Sequence, residues 1–250
     1  MILADPWNDG AAALEKALIA RFGPDPEETL GVRIVLGGDG WMLRCVQQHG
    51  ITPTYLGLNA GRIGFLMNDI DALDTVMTQL ENREWRVFAF PRLQAEVHTQ
   101  AGEVLVHHAL NDVYLERATG QTAHLSLDIN DQSIVEGLVA DGLIFSTALG
   151  STAYTFSAGG PACHPSLDIL AVTAISPHHP RLSPFVLPSS AIATATVLSS
   201  ERRPVRAVVD GVGTDNVQRV VLRTSPDRIQ MAYLKGHGFT SCMVTKILRP

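Results

Sequence analysis

The spacing of apolar residues in the first third of the chain alternates between a helical and an extended pattern. Helical spacing over residues 11–22, closed by a glycine-proline pair, predicts an α-helix. Short apolar runs at residues 32–36 and 54–58 predict buried parallel strands, each followed by a glycine-rich turn. Further helices are predicted after the first turn and over residues 69–80. This succession of strand, turn, helix and strand predicts a small, doubly wound sheet.

Beyond Trp85 the pattern changes to short strand-like runs separated by turns. The runs lie at residues 86–99, 103–116, 123–129, 133–140, 205–209, 217–223 and 228–234. The sequence therefore predicts an α/β fold joined to an all-β fold. We expect a Rossmann-like domain over residues 1–85, with residues 236–250 packing back on it, and a β-sandwich-like domain over residues 86–235.

Composition narrows the classes of protein to which the chain can belong. Of its 250 residues, 46% are hydrophobic and 18% charged, which excludes a disordered chain. The net charge is −6 and no basic run interrupts it, so we expect no nucleic-acid partner. The longest apolar runs, such as residues 169–175, are too short to cross a bilayer, and we expect a cytoplasmic protein without a membrane partner. Three widely spaced cysteines predict neither a zinc site nor a disulfide framework.

The strongest chemical motif is Gly37-Gly38-Asp39-Gly40, between a predicted buried strand and a helix. Glycines allow the backbone to approach a ligand closely, and the first turn of the helix offers unpaired N–H groups to phosphate. A carboxylate beside phosphate is repulsive unless it holds a metal ion or takes a proton. The alternative is a tight turn in which Asp39 caps the helix, and for the motif alone both interpretations remain open.

Two further segments carry polar or glycine-rich patterns. Residues 59–66 follow the second predicted strand, and since ligands bind at the carboxyl ends of strands, the two glycine turns would border one crevice. In isolation, these glycines could serve packing alone. Residues 141–154 pass from a turn through a short strand into hydroxyl residues, where Ser151 or Thr152 could simply cap a helix. The density of hydrogen-bonding groups there also suits a ribose or an adenine.

Taken together, these segments resemble the signatures of the NAD kinase family, from residue 32 to about residue 210. Those signatures are a GGDG turn, an NxGxxGFL segment, an asparagine beside an acidic residue in a strand, and a DG…ST…GSTAY stretch followed by GGP and HPSLD. Here they occupy residues 37–40, 59–66, 111–112, 141–154, 159–161 and 164–168. Their order and spacing together mark the chain as similar to these dinucleotide kinases.

The resemblance implies transfer of the γ-phosphoryl group of ATP, or of polyphosphate, to the 2′-hydroxyl of the adenosine ribose of NAD, with Asp39 as general base. It implies phosphate-binding residues at Gly37, Gly38, Gly40 and Arg44. It implies NAD-binding residues at Asp39, Gly40, Phe65, Asn111, Asp112, Asp141, Leu149, Thr152, Ala153, Tyr154, Ser157 and Asp210. It also implies a divalent cation, usually Mg²⁺, to which no protein ligand is assigned, and a homodimer or homotetramer.

The chain departs from the family pattern at three places, and two alternative functions stay open. Trp41 stands where many members have a small residue, Ala148-Leu149 replaces Pro-Thr or Pro-Ser, and the opening strand is shortened or absent. Lipid and sugar kinases share a GGDG-like turn, but residues 141–154 favour a dinucleotide kinase. A protein that binds NAD without turnover is the other alternative, which the intact Asp39 argues against.

Overall fold

The computed structural model describes residues 1–61 and 64–248. The chain divides into two compact units: unit 1 comprises Met1–Phe90 and Arg228–Pro250, and unit 2 comprises Pro91–Asp227. The predicted fold class is confirmed, since unit 1 is an α/β unit and unit 2 consists mainly of β-strands. No helix in the described ranges is both long and apolar enough to span a membrane.

The strands are β1 (Ile2–Ala4), β2 (Arg33–Gly37), β3 (Thr54–Asn59), β4 (Trp85–Thr99), β5 (Val104–Ala109), β6 (Asp112–Arg117), β7 (Ala123–Ile129), β8 (Gln132–Ala140), β9 (Gly142–Ser146), β10 (Ile169–Ile175), β11 (Phe185–Pro188), β12 (Ala193–Val197), β13 (Val205–Val209), β14 (Val212–Thr214) and β15 (Val217–Leu234). The helices are α1 (Asp9–Phe22), α2 (Pro26–Leu30), α3 (Asp39–His49), α4 (Leu73–Glu81), α5 (Tyr154–Ser157) and α6 (Phe239–Met243). A 3₁₀ turn lies at Gly150–Thr152 and a π-helical turn at Val244–Leu248.

Unit 1 is built on parallel strands, with β2 paired to β1 on one side and to β3 on the other. The last part of β15 continues this sheet in parallel with β3. In the register between β2 and β3, Gly37 is opposite Asn59, so the turns that follow the two strands leave the same edge of the sheet. The core joins Leu18 of α1 and Leu80 of α4 to buried strand residues such as Ile34. The sheet thereby positions two glycine turns next to each other.

Unit 2 contains an antiparallel sheet of six strands in the order β11-β10-β9-β6-β13-β14. Strand β12 pairs with β7 and with the first part of β15, β7 pairs with β8, and β4 forms a hairpin with β5. Buried residues of both groups of strands, such as Leu125 of β7 and Phe145 of β9, form one hydrophobic core. Apolar residues of β7 alternate strictly with half-buried ones, as in a sheet with one face on a core.

Several predicted elements differ from the observed ones. The run at residues 103–116 is interrupted between β5 and β6, because the backbone N–H groups of Leu110 and Asn111 bond to the carboxylate of Asp210 instead of continuing a ladder. The runs at residues 217–223 and 228–234 form a single strand, β15. The helix expected from residue 69 begins at Leu73.

Candidate active site

Asp39 is the first residue of α3, and its side chain does not cap that helix. Gly38 occupies the N-cap position and no side-chain capping bond is formed. Instead, the Asp39 carboxylate accepts the backbone N–H of Phe65 at 2.7 Å and that of Leu66 at 3.0 Å. The interpretation of Asp39 as a helix cap is therefore wrong, since its carboxylate bonds to the segment that follows β3.

The two glycine turns lie in direct contact in unit 1. The N–H of Ala60 donates to the carbonyl oxygen of Gly37 at 2.9 Å, which ties the second turn to the first. A Cβ on Gly64 would lie 2.9 Å from Oδ1 of Asp39, closer than real Cβ atoms approach other atoms. A larger residue there would displace the Asp39 carboxylate or the turn, so Gly64 has a specific steric role beside Asp39. Arg62 and Ile63 of this turn lie outside the described residues.

The surroundings of Asp39 act on its charge in opposite directions. Burial raises the pKa of Asp39, and the charge of Asp69 raises it further. The pKa is lowered by the hydrogen bonds from Phe65 and Leu66 and by the charge of Lys246. Burial prevails, so the pKa lies above the ordinary value for aspartate. The carboxylate is a stronger base than a solvated one, which suits a residue that accepts a proton.

Lys246 is a residue near this site that the sequence analysis missed. It lies in the π-helical turn near the end of the chain, and its Nζ donates to the carbonyl oxygen of Gly64 at 2.6 Å. The same ammonium is 2.7 Å from Oδ2 of Asp69 and 5.8 Å from the centroid of the Phe65 ring. No motif surrounds Lys246, and 182 residues separate it from Gly64, so nothing in the local sequence indicates the contact.

The other residues expected to bind phosphate lie on or beside α3. A Cβ at Gly38 or Gly40 would have no atom of the described residues within 4 Å. Arg44 is exposed, further along α3. Trp41 packs on Gly37 and donates its indole N–H to the carbonyl oxygen of Leu3 at 2.9 Å, so the departure from a small residue here binds the helix to β1.

In unit 2 the carboxylate of Asp210 organises the segment between β5 and β6. It accepts the backbone N–H groups of Leu110 at 2.6 Å, Asn111 at 3.0 Å and Asp112 at 3.1 Å. Asp210 itself has a φ of 44°, in the left-handed region that non-glycine residues seldom adopt. This strained residue lies at the turn between β13 and β14 and holds two of the predicted NAD-binding residues in place.

Asp112 and Asp210 form a buried pair of acidic groups. Burial, with the charge of Asp210 in second place, raises the pKa of Asp112 to about 7. Burial also raises the pKa of Asp210 to about 6, against the lowering effects of its three N–H hydrogen bonds and of Arg92. Like charges that are buried together resist double ionisation, so the pair retains a proton near neutral pH. A protonated carboxyl group can donate a hydrogen bond as well as accept one.

The glycine-serine-threonine stretch packs against this segment. A Cβ on Gly150 would lie 2.1 Å from the carbonyl oxygen of Asn111, so only glycine permits the contact. The Thr147 hydroxyl donates to the carbonyl oxygen of Leu110 at 2.7 Å and accepts the N–H of Gly150 at 3.1 Å. Oδ1 of Asn111 is buried with no hydrogen-bond partner among the described residues, which leaves an acceptor for a ligand group.

Neither Ser151 nor Thr152 caps a helix, which corrects the simpler interpretation of this stretch. The N-cap of α5 is Ala153, and no side-chain capping bond is formed. The Ser151 hydroxyl donates to the carbonyl oxygen of Ala148 at 2.6 Å and accepts the N–H of Cys163 at 2.8 Å. It therefore connects the stretch to Cys163, two residues beyond the GGP segment.

The remaining predicted residues of unit 2 differ in their surroundings. Tyr154 contacts Tyr114 edge to face, with ring centroids 5.0 Å apart. Leu149 and Thr152 are buried, and Ala153 is half-buried. Asp141 forms an ion pair with Arg117 at 2.7 Å, so its carboxylate is already engaged. Ser157 is exposed at the end of α5.

Comparison with known proteins identifies the family. The model of the ATP-NAD kinase C-terminal domain matches residues 110–231. An NAD kinase from Cereibacter sphaeroides (strain ATCC 17029 / ATH 2.4.9) is 37% identical over 231 residues, which cover 91% of this chain and 89% of that protein. The chain belongs to the NAD kinase family. An NAD kinase from Xanthomonas oryzae pv. oryzae is 35% identical over 230 residues, covering 90% of this chain and 88% of the relative.

Two solved structures share the fold of this NAD kinase family member. The yeast NADH kinase complexed with NADH superposes with a TM-score of 0.83 at 21% identity, over 99% of this chain and 86% of that one. The NAD kinase from Archaeoglobus fulgidus in complex with ATP gives a TM-score of 0.79 at 22% identity, over 99% and 98% of the two chains.

Proposed function

We propose that this protein is an NAD kinase, which transfers the γ-phosphoryl group of ATP to the 2′-hydroxyl of the adenosine ribose of NAD and yields NADP. The proposal rests on the placement of Asp39, a half-buried carboxylate oriented by the N–H groups of Phe65 and Leu66 at the start of α3. Membership of the NAD kinase family supplies the substrate, since relatives that align with nine-tenths of the chain are NAD kinases.

In this reaction Asp39 takes the proton of the attacking 2′-hydroxyl. A carboxylate held by two N–H donors has a defined direction, and burial makes it more basic than a solvated aspartate. Phosphoryl transfer leaves the protein chiefly the tasks of positioning the reactants and compensating charge. The N–H groups at the start of α3, beside Gly38 and Gly40, provide donors for the phosphates of ATP, and Arg44 on the same helix is a candidate for a further contact.

A magnesium ion is expected to arrive with the donor. Among the described residues no group of three His, Cys, Asp or Glu side chains is arranged to hold a metal ion. In kinases Mg²⁺ is bound largely through water and substrate phosphates, with one or two carboxylates. When bound, the ion would neutralise charge on the transferring phosphoryl group.

The NAD acceptor would be bound by the polar groups of unit 2. The unpartnered Oδ1 of Asn111 accepts a ribose hydroxyl, and Asp112, which retains a proton near neutral pH, donates or accepts a hydrogen bond as needed. Tyr154 supplies an aromatic surface, held at its edge-to-face contact with Tyr114. The Asp141 carboxylate is paired with Arg117. A ligand group that bonds to Asp141 would therefore share the carboxylate with Arg117 or replace Arg117 as its partner.

The proposal includes a cytoplasmic location and a homodimer or homotetramer. We expect X-ray scattering at micromolar concentration to give the mass of a dimer or a tetramer. A fully active monomer would contradict the oligomer part of the proposal.

Parallel assays of acceptors test the function itself. NAD, NADH, a diacylglycerol and fructose 6-phosphate are offered with ATP and magnesium, and polyphosphate replaces ATP in a second series. We expect phosphorylation of NAD or NADH, read as NADP or NADPH formation by a coupled dehydrogenase. Phosphorylation of the lipid or the sugar alone would support the alternative kinases, and tight NAD binding without turnover would support the non-catalytic alternative.

A further inference from the structure

The ammonium group of Lys246 makes contacts of three kinds within unit 1. Its Nζ donates to the carbonyl oxygen of Gly64 at 2.6 Å, pairs with Asp69 at 2.7 Å and lies 5.8 Å from the centroid of the Phe65 ring. Only 14% of the Lys246 side chain is exposed, whereas 73% of Lys235, also in an ion pair in this unit, is exposed. A lysine that is this well buried keeps its contacts far more strictly than a surface lysine.

These contacts converge on the segment that holds Asp39. Gly64 and Phe65 are both contacted by Lys246, and the N–H groups of Phe65 and Leu66 are the donors to the Asp39 carboxylate. Gly64 also lies against Asp39, because a Cβ there would be 2.9 Å from Oδ1. A displacement of Gly64 would therefore be transmitted to the carboxylate through bonds to the next two residues.

Lys246 also acts on Asp39 through its charge. Its positive charge lowers the pKa of Asp39, while the charge of Asp69 raises it, so the two members of the ion pair have opposite effects. Among the described residues, the other titratable groups around Asp39 and Lys246 are Tyr233, His237 and Cys242. Burial keeps each of them neutral at physiological pH: the pKa of Tyr233 and that of Cys242 are raised, and that of His237 is lowered to about 4.

We propose that Lys246 is a positioning residue for phosphoryl transfer, which orients Asp39 from the C-terminal turn through Gly64 and Phe65. This rests on the proposed role of Asp39 as the base. A purely structural role, as partner of Asp69 in an ion pair, is the competing explanation. The two explanations differ in what the loss of each partner does to Asp39.

The test compares Lys246→Met with Asp69→Asn, and uses Lys235→Met as the matched control, since Lys235 pairs with Glu84 at 3.1 Å in the same unit. We expect Lys246→Met to lower kcat about tenfold to hundredfold, the order of loss that a small misplacement causes, with little change in the KM for NAD. The acid limb of its kcat/KM profile should move to higher pH, because the positive charge that lowers the pKa of Asp39 is removed. Asp69→Asn should move that limb to lower pH, and Lys235→Met should leave it in place.

The proposal would be overturned, in favour of a structural ion pair, if the acid limbs of Lys246→Met and Asp69→Asn shifted in the same direction. A Lys246→Met enzyme with the wild-type kcat and pH profile would also overturn it. If Lys246→Met does not fold, Lys246→Arg tests the same point, because it keeps the charge and should retain most of the turnover and the wild-type acid limb. A carboxyl NMR titration of Asp39, assigned with Asp39→Asn, reads its pKa without any assay. An inactive wild type would contradict the proposed function, whereas an Asp39 pKa unchanged in Lys246→Met would contradict only the inference.

Discussion

The Asp39 carboxylate accepts the backbone N–H of Phe65 at 2.7 Å across 26 residues of sequence. A side chain from the first glycine turn is thus oriented by the backbone of the second. The orientation of the Asp39 carboxylate depends on the fold of both turns, so a structural change in either turn should alter the catalytic rate. This relationship distinguishes Asp39 from Asp9, the acidic residue that begins α1.

Asp39→Asn should keep the fold and the binding of NAD while turnover falls. The amide oxygen can still accept one of the two N–H groups of Phe65 and Leu66, which bond to different oxygens of the carboxylate. The amide takes no proton from a hydroxyl at neutral pH. Loss of a general base typically lowers turnover by about 10²–10⁴-fold. Steady-state kinetics and NAD titration calorimetry on the same preparation separate the loss of turnover from a loss of binding.

Asp9→Asn is the control for this substitution, because Asp9 likewise lies in the first turn of a helix, α1, but has no place in the proposed site. We expect it to turn over NAD at the wild-type rate. A fall for Asp39→Asn well beyond the stated range would point to charge compensation of the donor as the role of Asp39. Near wild-type turnover would refute its catalytic assignment.

Gly64→Ala should lower turnover although it changes no polar group. The new Cβ would lie 2.9 Å from Oδ1 of Asp39 and 3.3 Å from Cγ of Met67, so the carboxylate or the turn must move. Displacement of a reacting group by about 1 Å can cost about 10²-fold in rate. Gly61→Ala in the same turn is the control, since the nearest atom to its Cβ would be 3.4 Å away. Equal kinetics for the two variants would contradict this steric account.

The hydrophobic pattern predicted strands well where one face of a sheet is buried. Strand β7 occupies the predicted residues 123–129, and its residues alternate between buried and half-buried. Strand β10 is buried along almost its whole length, so its residues are apolar apart from Thr173 and show no alternation. Such a run does not by itself distinguish a strand from a buried helix, which is why the sequence analysis used it only to exclude a membrane span.

The details of the site depend on contacts that local sequence does not contain. The interruption between β5 and β6 is caused by Asp210, about a hundred residues further along the chain. Whether Asp39 caps α3 or bonds to Phe65 depends on the loop after β3, and the contact of Lys246 with Gly64 joins residues that are 182 positions apart. The motifs therefore indicated which segments form the site, whereas the geometry of those segments could be read only from the fold. The assigned binding roles stay predictions.

Leu149→Thr should change the affinity for NAD by no more than about tenfold. A neutral hydrogen bond contributes about 0.5–1.5 kcal/mol net, so restoring the hydroxyl common in the family adds at most that amount. Leu149 is only 3% exposed, and the loss of buried apolar groups should lower stability by about 1–3 kcal/mol. Leu149→Met, which conserves volume and polarity, is the control. An affinity change far above tenfold, measured by calorimetry, would show that Leu149 shapes the pocket.

The buried pair Asp112 and Asp210 should make the fold less stable as pH rises from about 4 to about 7. Burial raises the pKa of Asp112 to about 7 and that of Asp210 to about 6, above the 3.8 of an ordinary aspartate. In this window the folded protein binds more protons than the unfolded chain, so the free energy of unfolding declines with increasing pH. The stabilising contribution of the protonated pair is complete below pH 4. It is lost as the pH rises through the pKa values of Asp210 and Asp112 in the folded protein.

Asp112→Asn should flatten this decline, because one of the two coupled groups no longer titrates. Urea unfolding at pH 5 and pH 8 measures the change in the free energy of unfolding between the two pH values. This change should be smaller in the variant than in the wild type, by an amount on the order of 1–3 kcal/mol. Asp215→Asn, whose side chain is 72% exposed, should follow the wild-type slope. Since other groups titrate equally in all three proteins, only the difference between slopes counts. Parallel curves for Asp112→Asn and the wild type would show that Asp112 is already ionised in the folded protein over this pH range.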